Sequence, residues 1–380
     1  RNHADKHFVL AGNIDLNNIN WKPFEFSGSL DGKGFVVSNL YVNRTDDYQG
    51  LFSKIKGYYN DPIKVKNLTI RGVNISSDNS YVGAVAGLSE GSFIQNCKVI
   101  LTEGSEISGY DDVGGIVGQA WNSDYKTVYD CEVESQFDGP AIIGNSAVGG
   151  ITGAGICEGC KVNADIAGVK NVGGITGYFD QDALELSAIV LDCSYSGEIN
   201  GTENVGGIAG CFEYGSIKSC KVNADIVAEG NYVGGIVGYC KYVGYATVPI
   251  TACYSDGQIT VSSRSENVGG IVGHGHDYMV VSLSYSTMTS SSSSFDAIGG
   301  YQYNRSGREE YAAQIVDCCT VANTDRDGTN IKSNCTDITS FLRDAYSEHA
   351  GLWDFKNTWT WSGKVNGKQV NVSCPHLAWE

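Results

Sequence analysis

Apolar residues in this chain of 380 residues come in short β-branched runs punctuated by Gly, Asn, Asp and Ser, and the first 335 residues show no helical periodicity. One apolar pattern recurs. Val82-Gly83-Ala84-Val85-Ala86-Gly87 returns as VGGIVG from Val113, VGGITG from Val148 and Val172, VGGIAG from Val205, and VGGIVG from Val233 and Val268, then fades at Ile298-Gly299-Gly300. Successive copies start 31, 35, 24, 33, 28, 35 and 30 residues apart. Six of them are followed, 12 to 21 residues after their start, by a cysteine heading a second short stretch: Cys97, Cys131, Cys160, Cys193, Cys220 and Cys253. The heptapeptide CKVNADI stands unchanged at Cys160 and Cys220.

A unit of about 30 residues built from such runs predicts a coil of three short strands; it is shorter than a propeller blade and lacks leucine-rich or helical-repeat lettering. The expected fold is all-β: a right-handed single-stranded parallel β-helix, in which each strand pairs with its equivalent one coil on, about 4.8 Å away, and equal positions form columns. The hexapeptide reads as one strand. Its isoleucine fills the core, and its glycines let one wall lie near the opposite wall or turn a corner.

Stretches 8–16, 26–34, 35–40, 50–52 and 66–70 read as divergent N-terminal coils (about 8–75), ahead of regular coils over about 76–300. The serine run Ser290–Ser294 marks a turn or an eroded coil, and the solenoid domain is placed at 1–335. Residues 336–380 predict a small C-terminal α/β cap. It comprises a helix from Thr336 or Asp337 with Phe341, Leu342, Ala345 and Tyr346 on one face, then a hairpin through Trp359–Trp361 and Val370–Val372 about the Asn366-Gly367 turn. A cap of this kind would cover an open solenoid end.

Composition agrees with this picture. Forty-nine glycines beside 5 prolines exclude collagen and a proline-rich linker, and 42% hydrophobic residues suffice for a long core. The net charge of −17 argues against nucleic acid and anionic lipid surfaces as partners. No apolar run approaches the roughly 20 residues of a membrane span, so no membrane insertion of this chain is expected. The chain opens at Arg1 in mid-pattern, which suggests a signal or anchor lying outside it.

The tandem hexapeptides with their Cys-bearing strands resemble the GLUG repeat of bacterial surface proteins, found in adhesin-like proteins and in the stalks of immunoglobulin A1 metalloproteases. The landmarks IDL, FSGSLDGKG and SNL between Leu10 and Leu40 are similar to the segment that precedes such repeats, and Pro375-His376-Leu377-Ala378-Trp379 to their ending. The resemblance spans roughly residues 8–300 and the last few. It implies a secreted or cell-surface bacterial β-helix, and it carries over no catalytic residue.

The six phased cysteines read as a buried ladder of small hydrophobes, with Ser284 in the next rung and Cys318 or Cys319 resuming it; a disulfide between rungs is the alternative. Cys157 and Cys160 have metal-ligand spacing but no matching second pair, and no metal or cofactor is expected. HExxH, G-x-S-x-G and phosphate-loop motifs are absent. His274-Gly275-His276-Asp277 could bind a metal but reads more simply as turn filler, and Asp111 with Asp112, or Asp180 with Asp182, could supply paired carboxylates.

The turns after most hexapeptides are aromatic: Trp121, Tyr178 with Phe179, Phe212 with Tyr214, Tyr239 with Tyr242, Tyr278, and Tyr301 with Tyr303. Stacked repeats would align these rings along one edge, either as a platform for sugars or extended peptides or as a cover for the core. The function expected is that of a monomeric, non-enzymatic adhesin binding an extracellular glycan or host protein. The alternatives are a polysaccharide lyase or hydrolase on the same scaffold, and a purely structural stalk.

Overall fold

The computed structural model describes residues 6–57, 63–121, 127–179, 189–213, 215–240, 248–276 and 279–302, with the strand segments 314–316, 318–320, 331–333, 359–365 and 368–377. The solenoid strands form four parallel sheets of 11, 15, 8 and 10 strands among these residues, here called walls 1, 2, 3 and 4 in the order in which a coil visits them. One coil runs through Ser92–Gln95 in wall 1, Lys98–Leu101 and Glu106–Ser108 in wall 2, Asp111–Gly114 in wall 3 and Val117–Trp121 in wall 4. It re-enters wall 1 at Val128–Tyr129. The chain is therefore a parallel β-solenoid, with four walls per coil rather than the three strands expected.

The fourth wall arises because the hexapeptide is not one strand. Val113 and Gly114 pair in wall 3 with Val148 and Gly149, Gly115 and Ile116 turn the corner, and Val117 opens wall 4 opposite Thr152. At the corners the isoleucines Ile116, Ile151, Ile175, Ile208, Ile236, Ile271 and Ile298 are fully or almost fully buried and form one column. The second and sixth hexapeptide positions lie where walls 3 and 4 meet backbone to backbone. A Cβ on Gly118 would stand 2.5 Å from Val82 N and 2.6 Å from Gly87 O. The third position faces wall 2 instead: a Cβ on Gly115 would stand 2.9 Å from Val133 Cγ2 and 3.1 Å from Ile142 Cδ1. Glycine is required here by close approach, since none of these positions has a positive φ.

Two further corners use left-handed backbone. The residue before each ladder cysteine has φ between 48° and 65°, from Asn96 and Asp130 through Gly159, Asp192 and Ser219 to Ala252. The residue before each wall 3 valine repeats this: Tyr81, Asp112, Ala147, Asn171, Asn204, Tyr232 and Asn267. Asn and Asp tolerate this region; Ala252 and Tyr232 adopt it because the coils above and below fix the turn. Carboxamides stack along both corners, Asn96 Nδ2 donating to Asn67 Oδ1 (2.7 Å) and Asn204 Nδ2 to Asn171 Oδ1 (2.6 Å).

The core is the inward set of every wall. In Lys221–Ala228, Val222, Ala224, Ile226 and Ala228 are buried, with Ile226 between Ile199 and Ile259 in register. Each such Ile or Val contributes roughly 1.5–3 kcal/mol on burial. At the C-terminal end Trp359–Val365 and Lys368–Leu377 pair antiparallel, Val365 opposite Lys368. The helix expected from Thr336 lies outside the described residues.

Candidate functional site

The outward column of wall 4 runs Ala154, Tyr178, Cys211, Tyr239, His274 in register, and the Tyr301 backbone pairs next after His274. The next residue along each strand points inward, because strand side chains alternate between faces. That divides the predicted aromatic edge in two. Tyr178 and Tyr239 are partly exposed, whereas Phe179 (2%) and Phe212 (0%) are buried and stack on each other at 5.1 Å inside the core. Phe179 and Phe212 are thus corrected from surface platform to core. Trp121 and Tyr301 have their backbone in wall 4, and Tyr214, Tyr242, Tyr278 and Tyr303 lie outside the described residues.

The sequence reading missed the other half of this surface. Residues in the left-handed corner before wall 3 stand beside the outward column of wall 4. Tyr232 packs against Tyr239 and His274, and each of the three ring pairs has centroids 5.1 Å apart. His276 follows at 6.2 Å from His274. Burial, then the charge of His276, holds the His274 imidazolium down to about 4, so this ring is neutral at neutral pH. Further along the same stripe Tyr178 Oη donates to Glu213 Oε1 (2.5 Å).

Toward the N-terminus the corner carries Tyr48 and Tyr81, stacked at 4.7 Å and 7°, with the Lys54 ammonium 3.7 Å from the Tyr48 centroid. Asp112 follows in the same column. Burial pushes its carboxyl up to about 7, and the neighbouring Asp111 adds to the shift. A carboxyl poised near neutrality beside a second carboxylate is a composition suited to proton transfer. Asp180 and Asp182 lie outside the described residues.

On the opposite side of the coil, the corner between walls 1 and 2 holds Cys97, Cys131, Cys160, Cys193, Cys220 and Cys253, each at most 1% exposed and unbridged. Their thiols point at wall 1 carbonyls, as from Cys131 Sγ to Tyr129 O (3.1 Å) and Cys193 Sγ to Leu191 O (3.3 Å). Ser284 continues the column, its hydroxyl accepting from Cys253 N (3.2 Å) and donating to Ser282 O (3.0 Å). Burial pushes the thiols of Cys131, Cys157 and Cys193 well above their ordinary range, while against the same burial hydrogen bonds from the neighbouring thiols hold Cys160 and Cys220 below it. Among the described residues no three His, Cys, Asp or Glu side chains gather as a metal site, and no helix is long and apolar enough to cross a membrane.

Comparison with known proteins gives partial likenesses. No family model matches the chain. It is 35% identical over 95 residues to halomucin of Haloquadratum walsbyi, a stretch covering 25% of this chain and 1% of that protein. It is 26% identical over 154 residues to a provisionally named Gly-rich membrane protein of Evansella cellulosilytica, covering 30% of this chain and 17% of that one. The chain thus spans only a small part of either relative. Among solved structures, a provisionally named immunoglobulin A1 protease from Bacteroides ovatus aligns over 98% of this chain and 86% of that one. Its identity is 16% and its TM-score 0.41, too low to carry an inference about activity.

Proposed function

We propose that this chain is a binding rod of a secreted or cell-surface bacterial protein, adhesin-like and non-enzymatic, whose stripe along the junction of walls 3 and 4 takes glycans or extended peptides. The observation that carries the reading is the outward cluster of Tyr232, Tyr239 and His274, rings 5.1 Å apart along the rod, with Tyr178 two coils before Tyr239. Aromatic faces next to hydrogen-bonding groups stack on sugar rings, and a column repeated at coil spacing suits a polymer. The names of the halomucin and membrane-protein relatives fit a surface location. The test is a glycan and extracellular-matrix array probed with the protein and with a Tyr178→Ala/Tyr239→Ala variant of unchanged circular dichroism. Loss of signal in the variant supports the reading, and an unaltered profile removes it.

One observation favours a second reading. The raised Asp112 carboxyl beside Asp111 is the pairing a polysaccharide-cleaving enzyme would need. Release of reducing or unsaturated sugar ends by the wild-type protein, abolished in Asp112→Asn, would replace adhesion with catalysis.

A further inference from the structure

The outer face of wall 1 carries chemistry that the wall 3 and 4 stripe does not use. Two outward columns run side by side there: Lys64 and Phe93 in register, and Lys66, Gln95 and Tyr129 in register. Phe93 and Tyr129 have ring centroids 5.8 Å apart, and the Lys64 ammonium stands 6.0 Å from the Phe93 ring. Lys64, Phe93, Gln95 and Tyr129 line a recess of about 250 Å³, smaller than the usual range for drug-sized ligands and suited to one sugar ring.

Charge separates this patch from the rest of the protein. Residues 1–110 contain eleven basic and eleven acidic side chains, so the whole net charge of −17 lies beyond them. Within the patch, Asp31 is shared between Lys33 (3.3 Å) and Lys66 (3.8 Å), one carboxylate against two ammonium groups, while Lys64 has no ion pair among the described residues. Lys64 is thus the charged side chain that lines the recess, beside an aromatic floor, while the nearest carboxylates stand on the Tyr129 side, Glu158 one coil beyond Tyr129 and Asp130 bonded to Gln95.

We propose that this recess binds a carboxylated pyranose, a uronate or sialate residue of a glycan. The apolar face of the ring stacks on Phe93 and Tyr129, Gln95 bonds a hydroxyl, and the Lys64 ammonium meets the carboxylate. The site stands independently of the stripe on walls 3 and 4.

The test is calorimetric titration with a galacturonic acid trisaccharide, with sialyllactose, and with a neutral galactose trisaccharide. The expected result is tighter binding of at least one carboxylated sugar than of the neutral one, at millimolar affinity or better. Lys64→Gln should weaken that sugar about tenfold and leave the neutral sugar unchanged, whereas Phe93→Ala should weaken both. Tyr178→Ala/Tyr239→Ala should leave the preference for the carboxylated over the neutral sugar unaltered, so that failure of the stripe and failure of this recess read differently. No preference for either carboxylated sugar, or a Lys64→Gln protein that binds as wild type, overturns the proposal.

Discussion

Gly118→Ala puts one methyl between walls 3 and 4, where the structure leaves no room for it. The new Cβ would lie 2.5 Å from Val82 N, 2.6 Å from Gly87 O and 2.6 Å from Tyr81 C, all main-chain atoms of the preceding coil. None of these is the end of a side chain that could rotate away. The walls must separate by nearly 1 Å, which stretches the parallel hydrogen bonds of the coil, such as Val85 N to Ile116 O (2.8 Å) and Ile116 N to Ile151 O (2.9 Å). Overpacking costs about 1–3 kcal/mol where side chains can yield, and each weakened backbone bond adds about 1 kcal/mol, so a loss of about 3 kcal/mol is expected. Gly12→Ala is the control, since a Cβ there meets nothing within 4 Å and φ is not positive; it should change stability by less than about 0.5 kcal/mol. Urea titration followed by circular dichroism reads both variants. A Gly118→Ala protein as stable as Gly12→Ala would refute the close packing of walls 3 and 4.

Cys131→Ser should cost about 1 kcal/mol in the same assay, because Ser284 already fills this column with the same two kinds of partner; a loss above about 3 kcal/mol would mean that the sulfur packing is specific to its rung. Iodoacetamide applied to the native protein should leave Cys97, Cys131, Cys160, Cys193, Cys220 and Cys253 unmodified by peptide mapping and label all six after unfolding; native labelling of any rung contradicts the buried ladder. Asp112 ionises near 4 in the unfolded chain and at about 7 in the fold, so the stability it allows is full below pH 4 and is lost as pH rises to about 7. Asp112→Asn, the residue its column uses at Asn171, Asn204 and Asn267, should therefore gain roughly 1–2 kcal/mol at pH 7.5 and almost nothing at pH 4. A gain equal at both pH values would place its origin elsewhere.

The repeat was legible because stacking forces equal residues into equal columns: the hexapeptide valines, the corner isoleucines and the ladder cysteines all occupy the columns their spacing implied. The fourth wall was not legible, since in Val-Gly-Gly-Ile-Val-Gly both alternating sets are apolar or small and nothing in the lettering marks Gly115-Ile116 as a corner. The left-handed corners were hidden for the opposite reason. Their lettering varies from Asn96 to Ala252 and from Tyr81 to Asn267, because the neighbouring coils, not the residue type, dictate the backbone. Period-two alternation alone would have separated Tyr178 from Phe179, as adjacent strand residues cannot share a face. The wall 1 recess escaped notice because Lys64, Phe93 and Tyr129 differ in identity and align only once the register is known.

A binding stripe along walls 3 and 4 can be read by hydroxyl-radical footprinting of the protein with and without the glycan that gives the strongest array signal. Bound glycan should protect Tyr178, Tyr232 and Tyr239, with the buried Tyr195 and Tyr254 unreactive throughout. Unchanged oxidation of all three outward tyrosines at saturating glycan would contradict it.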